Sequence, residues 1–297
     1  MFRLTVELRP LLGASPSVVE LGNQTFKPRP GDLMHARAVV TARGDAGADA
    51  ALLTELAARS DDALAASTGD FYRALGFSAY QAIDVNAKFG SLVMDLNRDL
   101  AEQYGYRDTF DLVTNNGTGE HIFNQAAVFA NAHALCKVDG LMLHVLPFVN
   151  FLNHGFYSFN PILFHDLAAA NGYEICRLSV ASGRGREIGD HPTSAGGAVL
   201  SRAEIQERCA VDGSPRGSVD HLFGFGRSHK RGRRPLSRAL RTVMAAGPNV
   251  FVVAALRKTR AAAFQFPIQG MYSGANIGDP NLREAYVGAA ARTGGEA

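Results

Sequence analysis

The sequence predicts an α/β fold built on one mostly parallel sheet of seven strands, flanked by helices and elaborated in its C-terminal half. Three observations carry this prediction. Short, nearly all-apolar runs recur along the chain, as strands buried on both faces require. Longer stretches with apolar residues at three- and four-residue spacing lie between them. Several runs end in glycine, an acid or an amide, the residues that turn a chain at a strand end.

The strands are expected at 17–22, 79–84, 91–95, 110–115, 140–146, 173–180 and 249–256. Helices are expected at 48–66, 122–137 and 161–171. The last begins with Pro161, which suits a first turn, and stops at Asn171-Gly172. Residues 23–47 are rich in proline and glycine and read as a long functional connection between the first strand and its helix. Residues 181–240 are polar and glycine-rich, and a basic run extends from Arg227 to Arg241. With no internal repeat and no clear linker, 1–297 reads as a single domain. Its cofactor half is about 17–147, and its acceptor and elaboration segments are about 148–248.

Hydrophobic residues make up 46% of the chain and charged residues 20%, enough for a sizeable core. A net charge of +2 is too small to argue for nucleic acid or an anionic membrane surface as the main partner, and neither is expected. Cys136, Cys176 and Cys209 form no CxxC pair, which argues against a disulfide framework and fits a reducing cytoplasm. The apolar stretch 140–152 contains His144, Pro147 and Asn150 and is too short and polar to span a bilayer. A cytoplasmic protein without a signal peptide is expected. Oligomeric state is not readable.

In an open parallel sheet, ligands bind beyond the carboxyl ends of the strands. The residues there are Glu20, Gly22, Asn23 and Gln24, then Asp84, then Asp95 and Leu96, then Asn115 and the segment to His121. Asp84 is placed to accept hydrogen bonds from ribose hydroxyls, and Asp95 from an adenine amine while Leu96 packs on the ring. Each aspartate alone also suits a turn or a helix N-cap. Among the histidines, His154 first and His121 second border the expected crevice and would serve as general base; His144 lies in an apolar strand and reads as core. Glu120-His121 with His154 would make a mixed oxygen and nitrogen metal set, but the spacing lacks the i, i+4 pairing of helical metal sites, so no metal is expected. Phe148, Phe151, Phe156, Tyr157 and Phe159 read as core or as a lid. The run 227–234 reads as a solvated loop or as a clamp for an acidic acceptor.

Glu20-Leu21-Gly22, Asp84, Val93-Met94-Asp95-Leu96-Asn97, the strand 110–115 followed by Glu120-His121, and Lys137-Val138-Asp139-Gly140 together resemble the class I S-adenosylmethionine-dependent methyltransferases. The resemblance spans roughly 17–180 with a tail strand at 249–256. It implies a Rossmann-like sheet whose seventh strand is antiparallel, and S-adenosyl-L-methionine as cofactor. Glu20 and Gly22 would line its methionine part, with Asn23 and Gln24 in the same loop. Asp84 would hold the ribose, Asp95 and Leu96 the adenine, and Asn115 the sulfonium side. The implied activity is methyl transfer to an oxygen or nitrogen of a small molecule, such as a sugar or a secondary metabolite. One departure is clear. The family loop runs acid-x-Gly-x-Gly-x-Gly, and only its first glycine is present here; Gln24 and Phe26 replace the others. Either Gln24 bonds the cofactor or its side chain fills part of the site, and the second case implies a non-catalytic binding or partner subunit. A nicotinamide enzyme is disfavoured by the absence of GxGxxG after the first strand.

Overall fold

The computed structural model describes residues 2–182, apart from 29, 46, 152 and 153, and residues 249–269. Its seven strands are β1 (Ser17–Leu21), β2 (Ala79–Asp84), β3 (Leu92–Val93), β4 (Phe110–Asn116), β5 (Cys136–Val149), β6 (Glu174–Ser182) and β7 (Val250–Arg257). They form one sheet in the order β3-β2-β1-β4-β5-β7-β6. β1 pairs in parallel with β2 and β4, β2 with β3, and β4 with β5. β7 lies antiparallel between β5 and β6, so six strands share one direction and the last is reversed, as the resemblance implies.

The helices are α1 (Phe2–Leu8), α2 (Pro30–Arg43), α3 (Ala50–Ala58), α4 (Asp61–Ala65), α5 (Thr68–Ala74), α6 (Leu100–Tyr104), α7 (Gln125–Leu135) and α8 (Ile162–Asn171). Two expectations are corrected here. The connection 23–47 holds the 14-residue α2. Its Leu33, Ala36 and Val40 fall at helical spacing and are buried, a pattern hidden by the prolines and glycine that precede it. The single helix expected at 48–66 is two. Arg59 adopts extended backbone after α3, and Ser60 begins a new helix with acids in its first turn.

The pleat sends alternate residues to opposite faces. Val19, Leu21, Val113, Met142 and Leu146 meet Val128, Phe129 and Ala132 of α7 and Phe164 and Leu167 of α8. Val18, Leu112, Leu141 and Leu143 meet Leu33 and Ala36 of α2, Leu53 and Leu56 of α3, and Phe71 and Tyr72 of α5. Two buried cations stitch this three-layer body. Arg9 donates to the carbonyls of Gly13, Ala14, Leu75 and Gly76. Lys258, just past β7, donates to the carbonyls of His133 and Cys136 at 2.8 and 2.9 Å and so satisfies the end of α7. No helix among the described residues is long and apolar enough to cross a membrane. Cys136 and Cys176 are free thiols; Cys209, the basic run 227–241 and most of the C-terminal elaboration lie outside the described residues.

The fold also decides where Phe26 goes. Its ring is fully buried, edge-on to Phe2 at 4.7 Å and beside Phe71 at 5.1 Å, and its N–H donates to the Ala65 carbonyl. The side chain therefore faces α1 and α5, not the carboxyl ends of the strands. Phe26→Ala should cost about 3–5 kcal/mol of stability, the range for emptying a buried aromatic site. Urea unfolding of the variant checks this; a loss below about 1 kcal/mol would show that the ring is not a core anchor.

Candidate functional site

From β1 the chain steps outward through β2 to β3, and from β4 it steps the other way, so the strand order reverses between the adjacent β1 and β4. Ligands of open α/β sheets bind at that switch point. The loops following the two strands meet there. Gly22 has φ +84°, and a Cβ on it would stand 2.1 Å from the Thr118 hydroxyl, so both the backbone and the lack of space require glycine. The Gly22 N–H donates to the Ile83 carbonyl at 2.7 Å. The Gln24 side-chain amide reaches the same Thr118 hydroxyl at 3.4 Å, and the Gln24 backbone carbonyl accepts from the Thr68 hydroxyl. Gln24 thus ties its loop to the β4 loop.

Glu20 lies one residue before the end of β1 and is fully buried. Its two oxygens accept from Tyr72 and Tyr80, each at 3.0 Å, and those two rings stack 5.5 Å apart. Burial pushes the Glu20 carboxyl up to about 7, while the Tyr80 and Tyr72 hydroxyls and the Gln24 backbone N–H pull the other way. The residue braces the loop from beneath, and its carboxylate has no exposed surface.

Asp84 stands at the end of β2. Its Oδ2 accepts from the Asn23 N–H at 2.9 Å, and its Oδ1 accepts from the backbone and side-chain amides of Asn86. Three of the roughly four lone-pair positions of a carboxylate are thereby used. The Asn23 side chain donates toward Asn86, Lys88 and Ser91, which closes the loop after β1 against the loop after β2. Asp95 lies two residues past β3 in a turn, where two hydrogen bonds from Asn97 hold its carboxyl below the usual range. Leu96 departs from expectation: it is 3% exposed and packs in the core beside Leu100 and Val128, so it offers no face to a ring.

Asn115 and Asn116 end β4 and point to opposite faces. Asn115 is consumed internally, accepting from the Gly119 N–H at 2.9 Å and lying 3.3 Å from the ring of His144. His144 is core, as expected, and burial lowers its imidazole to about 4. Asn116 is 7% exposed, yet neither end of its amide has a hydrogen-bond partner among the described residues. A buried amide left unpaired in this way needs an explanation, and a ligand is one. Paired amides at a strand end were the signal in the sequence, but strand periodicity could not say which of the two would be left open.

Beyond Asn116 the chain turns through Gly119–His121. Glu120 is fully buried, and its Oε1 lies 3.3 Å from His154 Nε2 and 3.8 Å from His121 Nε2. Burial pushes the Glu120 carboxyl up; its own backbone amide and the two imidazoles pull the other way. The two rings are half-exposed and meet edge to face with centroids 4.9 Å apart. Phe123 and Phe156 flank them, both well exposed and edge to face at 6.0 Å. Of the expected lid aromatics, Phe159 is core and Tyr157 is partly buried, with its hydroxyl on the Phe123 carbonyl. Helical spacing is absent, but the fold brings His154 to Glu120 from 34 residues away.

No family model matches the chain, and no curated protein matches it. Among solved structures it is similar to the O-methyltransferase from the trans-AT PKS multienzyme of Brevibacillus brevis, solved with S-adenosyl-L-homocysteine (11% identity, TM-score 0.39, covering 86% of this chain and 71% of that one). It is also similar to coclaurine N-methyltransferase bound to N-methylheliamine and S-adenosyl-L-homocysteine (10%, 0.40, 87% and 70%). A third likeness is to an S-adenosylmethionine-dependent methyltransferase from Thiobacillus denitrificans in complex with S-adenosyl-L-homocysteine (15%, 0.34, 86% and 90%). Likeness this slight carries no weight for what this chain does.

The buried acid gives a pH signature. Glu20 is raised from 4.5 to about 7, so between those values the folded chain holds a proton that the unfolded chain has released. Its stabilisation is complete below about pH 4.5 and is lost as pH rises through about 7. His144 opposes it: with its imidazole lowered from 6.5 to about 4, its contribution is present above 6.5 and lost as pH falls through about 4. Glu20→Gln removes only the first effect. The variant should gain stability over the parent on going from about pH 5 to about pH 8, by on the order of 3 kcal/mol at full ionisation. Denaturant midpoints at the two pH values measure it, and parallel shifts in both proteins would contradict the raised carboxyl.

Proposed function

We propose that the chain transfers a methyl group from S-adenosyl-L-methionine to an oxygen or nitrogen of a small molecule. The observation that carries this reading is the sheet itself. Six strands run one way, a reversed β7 lies between β5 and β6, and the loops of β1 and β4 meet at a single switch point.

The residues around that point suit the cofactor. Asp84 keeps lone-pair capacity for a ribose hydroxyl, with Asn23 holding its orientation. Asn116 offers a buried amide with both ends open. Asp95, half-exposed beyond β3, is assigned to the adenine amine. Glu20 and Asn115 act as positioning residues beneath the loops at Gly22 and Gly119. Gln24 holds the loop through Thr118, and Phe26 is turned into the core, so neither substitution fills the space above Gly22 with an aromatic ring. When bound, the cofactor supplies a methyl group activated on a sulfonium.

The protein then has to align the two reactants and take up one proton. His154 is assigned as the base and His121 as second in line. The buried Glu120 carboxylate fixes the direction of the His154 ring. Phe123 and Phe156 supply an apolar platform beside the rings, which favours an acceptor with a flat or apolar face, a secondary metabolite or the apolar face of a sugar. One observation favours a second reading, a non-catalytic binding subunit: the Gln24–Thr118 contact spans the switch point.

Calorimetric titration with S-adenosyl-L-methionine separates the two readings. The enzyme reading expects a Kd in the micromolar range, about −8 kcal/mol. Asp84→Ala should weaken it at least ~10-fold, the loss of one charge-assisted hydrogen bond. Heat alone up to millimolar ligand, with no saturation, would leave the binding-subunit reading.

With an acceptor in hand and chelator present, His154→Ala should lower kcat by roughly 10²- to 10⁴-fold, the usual range for a general base. Its cofactor affinity should not change. Turnover at the parent rate would remove His154 from the mechanism.

A further inference from the structure

We propose that Glu120, His121 and His154 form a binding site for a divalent transition-metal ion, with zinc as its natural probe. Their ligand atoms, one carboxylate oxygen and two imidazole nitrogens, all lie within 4.8 Å of one another. Zinc holds such atoms at about 2.0–2.2 Å, which puts two ligands of a tetrahedral ion about 3.4 Å apart. The Glu120 to His154 separation of 3.3 Å already matches, and that to His121 is 3.8 Å.

A second observation points to a ligand here. Glu120 is fully buried, and its Oε2 has no hydrogen-bond partner among the described residues. A buried carboxyl oxygen without a partner is costly, and a cation relieves the cost. The carboxylate is also held in place. Its backbone carbonyl accepts from the Phe156 N–H at 2.8 Å, and a Cβ at Gly155 would stand 2.8 Å from Glu120 Cγ. The segment carrying His154 is therefore seated directly on Glu120. Two nitrogens and one oxygen suit zinc and its neighbours in the first transition row rather than magnesium or calcium. Three protein ligands leave at least one position open, and the exposed sides of the two rings make that position accessible, as in sites that coordinate a substrate. An oxygen or nitrogen donor of a small molecule would complete the shell.

The inference stands on the triad alone and goes beyond methyl transfer. It also bears on the assignment of His154, because an imidazole nitrogen that ligates an ion cannot accept a proton. The test is calorimetric titration of zinc into the chelator-treated full chain, with cobalt as a spectroscopic stand-in. The expected result is one ion per chain at micromolar Kd or tighter, with binding at least ~10-fold weaker in His154→Ala, His121→Ala and the isosteric Glu120→Gln, in line with loss of a ligand or its support. The thermal midpoints of the metal-free histidine variants should match the parent, since both rings are half-exposed. Cobalt should give a visible d–d spectrum that the histidine variants lose. No binding, or binding that all three substitutions leave unchanged, overturns the proposal. Zinc binding without S-adenosyl-L-methionine binding would leave the metal site standing and remove the methyltransferase reading, and the converse would do the reverse.

Discussion

The candidate site depends on a carboxylate placed where carboxylates are least tolerated. Glu20 sits in the interior strand β1 with no exposed surface, held by the hydroxyls of Tyr72 and Tyr80. A buried acid is tolerable only when it is hydrogen-bonded or protonated; here two hydroxyls donate to it, and burial raises its carboxyl to about 7. The arrangement ties β1 to β2 and to α5, because Tyr80 belongs to one and Tyr72 to the other. Two residues later the chain turns at Gly22, with no room for a side chain against Thr118. The position of the switch-point loops thus follows from the burial of one acid and the absence of one Cβ.

From that anchor the polar groups divide into two kinds. Asn23, Asn86, Ser91 and Asn115 spend their hydrogen bonds on neighbouring loops and hold the crevice in shape. The Asn116 amide and Glu120 Oε2 are buried with no hydrogen-bond partner among the described residues. Groups of the first kind make an architecture; those of the second are where a ligand would be recognised. The two groups lie close in the chain, Asn116 at the end of β4 and Glu120 in the short turn that follows it.

Much of this is legible in the chain itself. The strand ends at Asp84 and Asn115, the glycine after β1 and the histidines beyond β4 and β5 follow from local pattern, because apolar runs in a buried parallel sheet leave polar residues only at their ends. The helix α2 was not legible, because flanking prolines and a glycine mask its periodicity. Leu96 was misplaced for a different reason: a leucine beside an acid looks the same in sequence whether it covers a ligand or fills a core, and burial alone distinguishes the two.

The sequence by itself determined the α/β class, the mostly parallel sheet and the residues that stand at the carboxyl ends of its strands, since these depend on periodicity and turn chemistry within short windows. Tertiary structure decided what those residues do. It sent Phe26 into the back cluster, sealed Glu20 between two tyrosines, left Asn116 open while closing Asn115, and brought His154 onto Glu120 across 34 positions. Each outcome is a contact between segments distant in the chain, set by packing across the sheet rather than by any local preference.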